Sequence, residues 1–84
     1  METIFKNSNV RVAKTATGLS WFDLTDNYND FKGFTQAKRG LDKAVATIEK
    51  LAQDENLKEG VRMGTITEIL DSLKMKPHTY CGMD

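Results

Sequence analysis

The residues with the most reactive side chains lie near the end of the chain. His78 and Cys81 are its single histidine and single cysteine, and Asp84 follows three residues later. A cysteine beside a histidine can form a nucleophilic thiolate, and the three side chains together could contribute to a metal site. A closed zinc site takes four ligands, however, and no neighbouring residues supply an oxyanion hole or a third orienting group. A small metal or thiol protein centred on His78 and Cys81 is therefore only a second alternative, and we predict no catalytic residue, no metal site and no cofactor.

A second group of polar side chains lies between residues 23 and 30, where the sequence is Asp-Leu-Thr-Asp-Asn-Tyr-Asn-Asp. Its oxygens could bind Ca²⁺, but the segment lacks the glycine and the terminal glutamate of a calcium-binding loop. The same residue types favour turns, because their side chains hydrogen-bond to their own backbone. No glycine of the chain is followed by the Lys-Ser/Thr pair of a phosphate-binding loop. The segment therefore predicts an acidic loop that can contact a partner.

The composition limits the remaining classes of function. Twelve basic and twelve acidic side chains cancel, which argues against a protein dedicated to binding nucleic acid by charge alone. One cysteine cannot form an intrachain disulfide, and the sequence contains neither an export signal nor an apolar run long enough to span a membrane. The 84 residues suffice for one domain, which we assign to 1–84, with stability low enough for a second copy to contribute. We expect a cytoplasmic protein without a membrane partner.

The first third of the sequence predicts strands. Apolar and polar residues alternate over Val10–Lys14 and again from Leu19 to Leu24, with a glycine-containing turn between them. This pattern indicates a β-hairpin. Ile4 and Phe5 either extend its first strand or form a separate third strand, because the intervening Asn-Ser-Asn can make a bulge or a turn. The choice between two and three strands stays open.

The rest of the sequence predicts two helices. Thr35 stands where a helix N-cap is favoured, and apolar residues then recur at helical spacing, which indicates a helix over about residues 36–53. Gly40 would interrupt that helix, either to admit another backbone closely or to form a binding groove. The sequence from Thr65 to Glu68 has the form of a capping box before a second helix over about residues 66–75. Pro77 ends that helix, so residues 77–84 are interpreted as a C-terminal tail. The predicted fold is an α+β domain, with a hairpin or a small three-stranded antiparallel sheet followed by two helices on one face.

Without a catalytic site, we expect a small protein-binding or regulatory module rather than an enzyme. Compact domains of this kind are typical of phage or mobile-element proteins that bind and inhibit a host factor. Aromatic side chains dominate the energetics of protein interfaces, and the acidic loop lies among the aromatics. The residues predicted to bind a protein partner are Trp21, Phe22, Asp23, Asp26, Tyr28, Asp30, Phe31 and Phe34.

Nucleic-acid binding through the hairpin is the alternative function. Basic side chains would contact phosphates while Trp21 or Tyr28 stacks on bases. The basic residues predicted for this role are Arg11, Lys14, Lys32, Lys38 and Arg39. A homodimer is a further alternative for the partner.

Overall fold

The computed structural model describes residues 2–25, 31–36 and 39–81, with only the backbone for Phe31 and for residues 79–81. Within these described residues, five strands form one antiparallel sheet in chain order: β1 Glu2–Lys6, β2 Val10–Lys14, β3 Leu19–Asp23, β4 Phe31–Thr35 and β5 His78–Cys81. Three helices separate β4 from β5: α1 Leu41–Gln53, α2 Glu55–Lys58 and α3 Met63–Ser72. The predicted α+β class is confirmed. None of the helices in the described part of the chain is long and apolar enough to cross a membrane.

The predicted hairpin is confirmed in β2 and β3, which pair from Val10 opposite Asp23 to Lys14 opposite Leu19. Ile4 and Phe5 belong to a separate strand, β1, which pairs with β2 through a register shift between Thr3 and Phe5. The turn between β1 and β2 is closed by the amide of Asn7, which donates to the carbonyl of Val10 at 3.1 Å. The sheet before the helices thus has four strands rather than two or three.

The prediction of an N-cap at Thr35 is wrong, because Thr35 is the last residue of β4. Its side chain is buried, and its hydroxyl donates to the backbone carbonyl of Met75 at 2.6 Å. Apolar and polar residues do not alternate in the sequence of β4, because its described core-facing positions are Gly33 and Thr35. The segment predicted as a C-terminal tail, residues 77–84, also contains a strand, because all four residues of β5 pair with β4.

Both helices begin at other residues than the sequence predicts. Helix α1 begins at Leu41 rather than near residue 36, because Gly40 is its N-cap and not an interior residue. Gly40 has φ of 84°, in the left-handed region that favours glycine. Helix α3 begins three residues before the prediction, and Thr65 accepts a hydrogen bond from the amide of Arg62 at 3.2 Å. This is half of a capping box, since an arginine side chain has no acceptor for the reciprocal bond.

The hydrophobic core lies between one face of the sheet and the helices. Its strand residues include Val12, Leu19 and Trp21, and its helix residues include Ile48 and Leu70. Trp21 is fully buried, and its indole N–H donates to the hydroxyl of Thr67 on α3 at 3.3 Å. The helices of the described part of the chain therefore cover one face of the sheet and not the other.

Candidate functional site on the outer face of the sheet

We call the face of the sheet that points away from the helices the outer face. Because successive side chains of a strand alternate between faces, the residues beside the core positions belong to it. Strand pairing arranges them in rows across the sheet. Arg11 on β2 lies opposite Phe22 on β3, and Phe22 lies opposite Lys32 on β4. In the adjacent row, Phe34 on β4 lies between its partners Ser20 on β3 and His78 on β5.

The side chains of the outer face are held by contacts with one another. The guanidinium carbon of Arg11 lies 5.5 Å from the centroid of the Phe22 ring, a cation–π distance. The Nε of the same arginine donates to the hydroxyl of Thr3 on β1 at 3.0 Å. The rings of Phe34 and His78 are stacked, with centroids 5.1 Å apart and an interplanar angle of 27°. These contacts order two aromatic rings on adjacent strands.

Both phenylalanines of the outer face are half-buried. Phe22 and Phe34 are diagonal neighbours on β3 and β4, since Phe22 pairs with Lys32, two residues before Phe34. Diagonal neighbours on antiparallel strands lie roughly 7–8 Å apart, within reach of one ligand. The arrangement forms a small aromatic platform on a backbone fixed by strand pairing on both sides.

The outer face is more basic than the chain as a whole. Lys6 pairs with Arg11 in the β1–β2 register, so it shares the face with Arg11 and Lys32. Among the strand residues that the structure describes, the carboxylates Glu2 and Asp23 pair with Lys14 and Val10, at positions of the opposite face. A chain of zero net charge thus places three cations, Lys6, Arg11 and Lys32, on one side of its sheet.

The residues predicted to bind a protein lie in different parts of the molecule. Trp21 is a core residue, which makes its prediction as a surface anchor wrong. Phe22 and Phe34 lie together on the outer face, whereas Asp23 accepts a hydrogen bond from the amide of Thr25 at 2.8 Å and stabilises a turn. Phe31 belongs to β4, and the structure describes only its backbone. Outside the described residues are Asp26, Tyr28 and Asp30.

Among the described residues, those predicted to bind nucleic acid do not form one patch. Arg11 and Lys32 lie beside Phe22 on the outer face. Lys14 is exposed at the end of β2 opposite Glu2, and Arg39 is exposed before α1. Lys38 lies outside the described residues. Trp21, predicted to stack on bases, is buried, and Phe22 and Phe34 hold the accessible positions instead.

Sequence reasoning missed His78 as part of this site. The sequence predicts His78 on a tail, together with Cys81 as a potential ligand, whereas the structure places His78 on β5 with its ring stacked on Phe34. The signal for a strand was the β-favouring Thr-Tyr-Cys that follows it. No group of three or more His, Cys, Asp or Glu side chains able to hold a metal ion occurs among the described residues.

Two clefts lie on the helical side of the molecule. One, of about 520 Å³, lies at the N-terminus of α3 and is lined by Asp23, Arg62, Gly64 and Glu68 among others. The other, of about 510 Å³, lies beside α1 and α2, next to Leu57. The first cleft is lined by one cation and two carboxylates. The second cleft lies beside the exposed apolar side chain of Leu57. Neither brings together as many aromatic and cationic groups as the outer face.

The chain matches no known protein family, and comparisons with curated proteins and with solved structures found no significant similarity.

Proposed function

We propose that this chain is a non-enzymatic binding module and that the outer face of its sheet is the binding surface. The observation that carries the proposal is the pairing of two half-buried phenylalanines, Phe22 and Phe34, with Arg11 and Lys32 on the face that the helices leave uncovered. Aromatic and arginine side chains supply most of the energy at binding surfaces. Strand pairing fixes their backbone before a partner arrives, which lowers the entropic cost of binding.

Two classes of partner fit this proposal. A protein partner is supported by the zero net charge of the chain and by the aromatic anchors, and it includes the regulatory role of a phage or mobile-element protein that inhibits a host factor. Nucleic acid is supported by the position of Arg11 and Lys32, which flank Phe22 on the outer face. Both classes use the same face, so one pair of variants tests the shared proposal.

The test compares F22A/F34A with L57A in a cross-linking pull-down from the native cell. Leu57 is a large apolar side chain on α2 that is 54% exposed, so L57A removes exposed apolar surface away from the outer face. We expect wild type and L57A to capture the same partner, and the double variant to lose at least tenfold in capture, because interface anchors contribute about 2 kcal/mol or more each.

Circular dichroism must show that the double variant is folded. A folded F22A/F34A protein that captures the partner as well as wild type would place the binding surface elsewhere. Equal losses in F22A/F34A and L57A would also contradict the proposal, since apolar truncation anywhere would then have the same effect.

A further inference from the structure

We infer that the outer face binds single-stranded nucleic acid, with bases stacked on Phe22 and Phe34 and phosphates near Arg11 and Lys32. The inference rests on the proposed function, because it names the ligand of the same surface. Three observations carry it: the placement of the rings, the placement of the charges and the shape of the face.

The two rings are placed to take two bases of one strand. Phe22 and Phe34 lie on adjacent central strands as diagonal neighbours, so each ring can take a separate base on the side that Arg11 or His78 does not contact. Sheets that present aromatic side chains on neighbouring strands stack two or three bases of a single strand in this way. Half-burial of the rings restricts their motion while part of each remains accessible.

The cations are placed where a backbone beside those bases would run. Arg11 and Lys32 flank Phe22 from both neighbouring strands, and Lys6 extends the same row on β1. A polyanion is complementary to such a row. Charge-complementary placement of this kind, combined with aromatic stacking, is the usual composition of sites for single strands.

The shape of the face favours a single strand over a duplex. In a duplex the bases are stacked on one another, so their flat faces are unavailable to Phe22 and Phe34. The described residues of the outer face belong to strands, and no helix projects from it to enter a groove. Aromatic side chains on a sheet therefore match unstacked bases better than a duplex.

The experiment measures fluorescence anisotropy of fluorescein-labelled dT12, rU12 and a 12-base-pair duplex at low salt. F22L/F34L keeps apolar volume and removes the aromatic faces. R11Q/K32Q removes two charges from the outer face, and K43Q/K50Q removes two exposed charges from α1 with the same change in net charge. Circular dichroism confirms that each variant is folded.

We expect wild type to bind a 12-mer single strand at least tenfold more tightly than the duplex. F22L/F34L should weaken binding roughly thirtyfold or more, since each stacked base contributes on the order of 1 kcal/mol or more. The slope of log K against log salt should become less negative by about 1.4 in R11Q/K32Q, because each phosphate contact of a single strand contributes about −0.7. K43Q/K50Q should leave that slope unchanged.

Absence of binding to dT12 and rU12 at low salt would overturn the inference. Equal effects of the two double charge variants would overturn it as well, since binding would then follow net charge rather than position. If the oligonucleotides do not bind but the pull-down partner depends on Phe22 and Phe34, the inference fails and the proposed function stands. If the partner is also independent of both rings, both proposals fail.

Discussion

Replacing Gly33 by alanine tests the packing at the centre of the sheet. Gly33 on β4 pairs with Trp21 on β3, and a Cβ atom at this position would lie 2.3 Å from the indole Nε1 and Cε2 atoms. Ordinary contact begins at 3.4 Å, so one of the two groups must move by about 1.1 Å. Neither can retreat freely, because the indole is fully buried and β4 is paired on both sides.

The expected cost of G33A follows from these limits. Overpacking a core typically costs about 1–3 kcal/mol, whereas loss of a buried tryptophan costs about 3–5 kcal/mol. In G33A the added methyl group is held between a buried ring and a paired strand. We therefore expect the free energy of unfolding to fall by about 3 kcal/mol, the value at which the two ranges meet. At roughly 4–8 °C per kcal/mol for a domain of this size, the melting temperature should fall by about 12–24 °C.

The single tryptophan provides the assay. Thermal and urea unfolding followed by its fluorescence give the free energy of unfolding, and a red shift of folded-state emission reports displacement of the indole. G64A is the matched control: Gly64 lies in the first turn of α3 with no neighbouring atom within 4 Å of an added Cβ. There alanine should stabilise the protein by up to about 1 kcal/mol. Unfolding of G33A within about 0.5 kcal/mol of wild type, with unshifted emission, would refute the packing of Trp21 on Gly33.

Two further predictions concern hydrogen bonds that tie distant segments together. T35V removes the buried donor to the Met75 carbonyl and should lower the free energy of unfolding by about 1–3 kcal/mol. Its control, T47V, removes an exposed bond of the same type within α1 and should change that free energy by less than about 0.5 kcal/mol. Asn7 donates to two backbone carbonyls near the end of α2 and accepts from two amides after β1. N7A should therefore cost about 3 kcal/mol in urea unfolding, and S8A, which loses only an exposed 3.5 Å contact, should cost less than about 0.5 kcal/mol. Equal effects within either pair would contradict the assigned bonds.

The sequence predicts the strands whose core positions are apolar. In β2 and β3, Val10, Val12, Leu19 and Trp21 are fully buried, and the period of two is visible in the residues themselves. The sequence does not predict β4, because Gly33 and Thr35 rather than apolar side chains occupy its described core-facing positions. The glycine makes room for the Trp21 indole, and the threonine satisfies a carbonyl. Both reasons lie in distant segments, which local patterns do not show.

The helix boundaries depend on backbone geometry in the same way. Gly40 was interpreted as an interruption of α1, but its positive φ makes it the start of the helix. The sequence predicts the end of α3 near residue 75 because Pro77 cannot continue a helix, whereas α3 ends at Ser72, three residues earlier. Met75 is buried although it lies beyond the helix, between Lys74 and Lys76, which both have positive φ. The proline therefore limits how far the helix can extend, and the positive φ of Lys74 shows that it ends before that limit.

Predicting the candidate site required sorting aromatic residues between the two faces, and the sequence alone gives no rule for that. Trp21 and Phe22 are adjacent, so strand alternation must send one to the core and the other to the outer face. The larger ring points inward because Gly33, opposite it, has no side chain. Strand register then leaves Phe22 beside Arg11 and Lys32. A one-residue slip of β3 would reverse the two rings, so the contact that stabilises the core also determines which aromatic side chain the outer face presents to a ligand.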